Sequence, residues 1–153
     1  MNPALLLVPF ALQGTLMAVD EGWFHRRRGL PRWERIGHPL DTLTVALCFG
    51  WLVAKRPEDP GALAVYVALA VVSCLFVTKD EVVHKRLCCA AECWLHAVLF
   101  VLHPIVFFAA GYAWALGQGA WALKMQLVLV LAFGLYQWIY WGPWNRTDIR
   151  SAA

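Results

Sequence analysis

The sequence predicts an all-α integral membrane protein of about five transmembrane helices, two tandem hairpins forming a four-helix bundle plus a fifth helix. Three observations predict it. Hydrophobic residues make up 61% of the chain and charged residues only 15%, whereas a soluble domain usually carries about 25% charged residues. The apolar residues gather into five runs, each near the roughly 20 residues that a spanning helix needs. The basic residues fall on alternate connections between those runs. All 153 residues read as a single membrane domain, because no Ser/Gly linker or low-complexity segment divides them.

The first run, Pro3–Phe24, has no basic segment ahead of it and no small-residue cleavage site, so it is expected to be a retained helix. The second, Pro39–Ala54, is short unless its helix starts near Ile36, and Lys55-Arg56 extend its reach by snorkelling. Gly61–Thr78 and Cys93–Leu116 form the third and fourth runs. The fifth, Ala120–Trp141, ends in "LYQWIYWGPW". There Trp138, Tyr140, Trp141 and Trp144 read as an aromatic belt at the membrane interface. Tyr136 and Gln137 suit that belt too, although a buried Gln would want a partner in the bundle.

Orientation follows from the cations. Arg26, Arg27, Arg28, Arg32, Arg35, Lys79, Lys85, Arg86, Arg146 and Arg150 share one side. Lys55 and Arg56 lie on the other, with Lys124 near the start of the fifth helix. The richer side is expected to face the cytoplasm, as in a bacterial inner membrane, with the N-terminus outside and the C-terminus inside. A net charge of +3 is too small to imply nucleic acid, so the expected partners are the lipid bilayer and molecules dissolved in it.

The connections on the basic side carry the same pattern twice. "DEGWFHRRRGLPRWERIGH", Asp20 to His38, and "DEVVHKRLCCAAECWLH", Asp80 to His96, each read Asp-Glu, His, a basic stretch, then Glu and His four apart. The repeats span about residues 3–54 and 61–116, with the fifth helix at about 120–141. Glu21/His25, Glu34/His38 and Glu92/His96 are spaced four apart and Glu81/His84 three apart, so each pair shares one helix face. Charged groups at helix ends often just snorkel into the interface. Snorkelling does not need the same two residue types in the same order twice. Four of the five His and four of the five Glu lie in these two segments. Packed side by side, the hairpins would bring Glu21, His25, Glu34, His38, Glu81, His84, Glu92 and His96 to one level. That set suits two metal ions, with iron favoured and zinc or manganese as alternatives.

In these residues the chain resembles the carboxylate-bridged dimetal four-helix bundles, the ferritin-like di-iron group, at the level of pattern only. That group uses Glu and Glu-x-x-His; here only Glu81-Val82-Val83-His84 has the second spacing, and the other pairs are Glu-x-x-x-His. The resemblance implies a dinuclear site and identifies no specific family.

Around the ligands, Asp20 and Asp80 precede the first Glu of each copy and point about 100° away on an α-helix. They are expected to cap a helix or bond a His rather than ligate. Asp41 is placed to orient His38. His103, two turns beyond His96, is expected to be a packed polar contact. Cys88, Cys89 and Cys93 have no counterpart in the first copy and face a reducing side, so packing is expected and not disulfides.

The sequence therefore predicts a membrane-embedded dimetal oxidoreductase that acts with O₂ on a lipid or other hydrophobic substrate, drawing on an unidentified electron donor. A metal or small-solute transporter and a zinc-dependent membrane hydrolase are the alternatives. The outer halves of the runs hold few polar residues, which weighs against transport.

Overall fold

The protein's structure, a computed structural model, describes residues 7–81 and 87–142, with Asp80 described by its backbone alone. Every regular element among these residues is helical. Helix α1, Leu7–Val19, passes into a π-helical turn, Asp20–His25, and then into one further turn, α2, Arg26–Arg28. Val19, His25 and Arg26 all keep right-handed helical backbone angles, so the three pieces form one continuous rod. Gly29 ends it. Its φ of 77° is a conformation that glycine adopts freely, and its N–H closes on the His25 carbonyl at 2.8 Å.

Helix α3, Arg32–Ala54, starts directly after an extended Pro31, seven residues ahead of the apolar run that marks it in the sequence. Helix α4, Ala62–Phe76, tightens into a 3₁₀ turn at Val77–Asp80. Helices α5, Ala90–Ala115, and α6, Ala120–Trp141, follow. Four segments, Arg32–Ala54, Ala62–Lys79, Ala90–Ala115 and Ala120–Trp141, are long and apolar enough to cross a membrane. The π turn divides the first rod, so its regular α-helical part is only 13 residues long.

Packing follows the small residues. Helix α1 lies along α5, while α3 lies along both α6 and α4. At Gly134 an added Cβ would stand 3.0 Å from the Thr42 methyl, so glycine lets α6 approach α3. At Gly111 it would stand 2.6 Å from the Tyr66 ring, whose hydroxyl donates to the Phe107 carbonyl at 2.6 Å. The apolar core of Cys48, Phe49, Leu52, Phe107, Trp114 and Leu123 sits toward the end away from the Arg26–Arg35 cluster. Leu47, Val72, Leu75, Phe108, Val128 and Ile139 point outward and are exposed, as expected of a lipid-facing surface.

Between α1, α3, α5 and α6 lies a cavity of about 360 Å³. Phe10, Val45, Phe49, Phe100, Val106 and Phe133 make its apolar walls. Helix α6, which the sequence sets beside a four-helix bundle, is one of these walls, whereas α4 and its 3₁₀ turn contribute only Val77. The polar lining gathers mostly at the arginine-rich end.

Candidate metal centre

The π turn builds this end. Bonds from i to i+5 widen the helix by one residue, which brings residues five apart onto one face. Asp20 and His25 become such a pair, while Glu21 and His25 remain neighbours at i, i+4. All three side chains are buried. The α-helical geometry assumed from sequence turned Asp20 away; the π turn instead places its Oδ2 3.2 Å from His25 Nε2 and 3.1 Å from His96 Nε2 on α5. His25 Nδ1 lies 3.3 Å from Glu21 Oε2. Trp141, the last residue of α6, donates its indole N–H to Glu21 Oε1.

Two groups result. Asp20, His25, Glu92 and His96 offer ligand atoms within 4.8 Å of one another, and so do Glu21, His25 and His38. His25 belongs to both. Its Nε2 faces Asp20 and, at 3.9 Å, Glu92; its Nδ1 faces Glu21. The His38 ring centroid is 4.8 Å from that of His25, and the His96 centroid is 6.4 Å away. His25 Nε2 is buried without a partner in hydrogen-bond geometry among the described residues, although Asp20 is close. Atoms about 2.1 Å from a shared ion in square or octahedral placement stand about 3 Å apart, so these separations fit ligands that face a common point.

Charge favours a cation there. Asp20, Glu21, Glu34 and Glu92 are at most 7% exposed. The buried cation among the described residues is Arg28. Its Nη2 donates to Glu34 Oε2 at 2.9 Å and to Glu92 Oε1 at 3.0 Å, and its Nε donates to Glu92 at 3.2 Å. Even with His25 and His96 both protonated, four buried acids face three buried cations, so a bound cation would lower the cost of burying them.

Five of the eight ligands expected from sequence meet here: Glu21, His25, His38, Glu92 and His96. Glu34 is fully buried on Arg28 and lies outside both groups. Glu81 is exposed and also outside them. His84 and Trp144 lie outside the described residues, as does the side chain of Asp80. Asp41 accepts two hydrogen bonds from Lys79 Nζ, at 2.6 and 2.7 Å. His103 is a packed polar contact, held between Gln13 and Ser73. Cys88 is half-buried, Cys89 and Cys93 are exposed, and all five cysteines are free.

Sequence reasoning missed Arg28 as the partner of two acids and Trp141 as a donor to Glu21. The only sequence sign of Arg28's role was its place between two acidic pairs. Gln137 leaves the belt and accepts from Thr42 at 2.7 Å. Taken together, the fold and the site define a helical bundle with membrane-span candidates and a buried carboxylate–imidazole cluster. No family model, no curated protein and no solved structure matches the chain.

Proposed function

We propose that the chain is a five-span membrane enzyme that holds two metal ions, iron favoured, and uses O₂ to oxidise a hydrophobic molecule seated in the cavity. The observation that carries this reading is the Glu21, His25 and His38 group, which opens onto that cavity. Two histidines and one carboxylate with positions left open are the donor set of non-haem iron oxygenases. His25 Nε2, Asp20, Glu92 and His96 would hold the second ion, so that one imidazole links the pair. The metals would supply O₂ reduction, with electrons from an external donor.

The chain's own residues do the rest. Arg28 neutralises part of the acid excess, Trp141 orients Glu21, and the phenylalanine-lined walls exclude water from the reacting end of the substrate. The continuous rod Leu7–Arg28 would serve as the first of five spans, and the ten-to-two division of cations would put the site at the cytoplasmic side, within reach of a reductant.

The test is to purify the protein, count its metals, reduce the iron-loaded form without air and then admit oxygen. A near-ultraviolet absorption of oxidised iron should appear, and it should be missing in His38→Ala. Zinc content that oxygen does not alter would replace this reading with metal-assisted hydrolysis. Metal release across a vesicle wall would replace it with transport.

A further inference from the structure

We infer that the cavity binds a hydrophobic molecule carrying a hydrogen-bond donor, and that this donor is received by the side-chain oxygen of Gln13. A chain of four buried or half-buried groups crosses the bundle above the acidic cluster, and its proton order can be deduced from one end. Thr44 Oγ1 lies 2.7 Å from the Asp41 carbonyl, which can only accept, so the Thr44 hydroxyl proton is committed there. Ser73 Oγ, 2.7 Å from Thr44 Oγ1, must then donate to it. With its one proton spent, Ser73 accepts from His103 Nε2 at 3.1 Å. His103 is thus the Nε2–H tautomer, and its bare Nδ1 accepts from the Gln13 amide nitrogen at 3.0 Å.

The order ends at Gln13 Oε1. This atom is buried and has no hydrogen-bond partner among the described residues, while its residue, 9% exposed, lines the cavity. An unmatched carbonyl in an apolar cavity accepts a donor and offers nothing to a pure acceptor. Gln13 and Asp20 stand seven residues apart on one rod, about 10 Å along its axis. The ligand class is therefore an alkyl-rich alcohol or N–H compound whose donor lies about 10 Å from the end that faces the acids.

The inference rests on the cavity being the substrate pocket proposed above. Binding measured in metal-free protein separates it from the metal chemistry, since loss of the ions leaves Gln13 in place. Dodecanol and its isomer methyl undecyl ether, titrated into metal-free protein in nanodiscs and followed by thermal stabilisation, differ only in the donor. Dodecanol should bind about five- to tenfold more tightly, the value of one neutral hydrogen bond. In Ser73→Ala the imidazole can carry its proton on Nδ1, the Gln13 amide turns over to present its NH₂, and the preference should fall to about one. Gln13→Met should abolish it as well, and if that variant fails to fold, Ser73→Ala still decides. Equal binding by the unaltered protein, or an alcohol preference that survives Ser73→Ala, overturns the inference.

Discussion

Asp20 and His96 stand 76 residues apart in the chain, yet Asp20 Oδ2 lies 3.1 Å from His96 Nε2. The contact exists because the π turn swings Asp20 inward. Inserting an alanine after Gly22 would put Asp20 and His25 six apart, a spacing that neither the α nor the π turn brings to one face, and would rotate Asp20 away from His25. Helix content by circular dichroism should hold, and bound metal should fall below half. Gly22→Ala meets no atom within 4 Å and should change neither quantity.

The parts of this fold that hydropathy and i, i+4 spacing encode were legible in the sequence. The run Ala120–Trp141 coincides with α6, and Glu21/His25 and the α5 pair Glu92/His96 come together as their spacing implies. The start of α3 was not legible, because Arg32 to His38 is mostly polar and only partly buried, and its buried side chain, Glu34, is held by an ion pair and not by apolar packing. A bond from Asp20 to a His was legible, but not its place among the possible ligands, since a π turn has no compositional signature. Glu34 and His38 illustrate the remaining limit. They share spacing with the other pairs, but Arg28, six residues before Glu34 and across the turn at Gly29, holds Glu34 outside both groups.

Ligand stoichiometry separates one linked centre from two independent sites. His25 belongs to both groups, so His25→Ala should lose both ions. His38→Ala and His96→Ala should each lose one. Elemental analysis of purified protein, with zinc or iron supplied, reads this directly. Equal losses in all three variants would mean that His25 is no link.

Glu34 should behave as a structural acid. Glu34→Ala leaves the buried Arg28 with Glu92 as its remaining carboxylate partner among those described, and should cost about 3 kcal/mol, as broken buried pairs do. Metal per folded protein should hardly change. Glu92→Ala should lower both stability and metal content, because Glu92 serves Arg28 and a ligand group alike. Thermal unfolding in detergent beside metal analysis distinguishes the two roles.

Orientation is tested with single cysteines in a chain whose five native cysteines have been replaced. Arg27 and Glu58 are both exposed and lie on opposite connections. In intact cells an impermeant maleimide should label Glu58→Cys and leave Arg27→Cys unlabelled until the membrane is opened. The reverse pattern would place the acidic cluster outside.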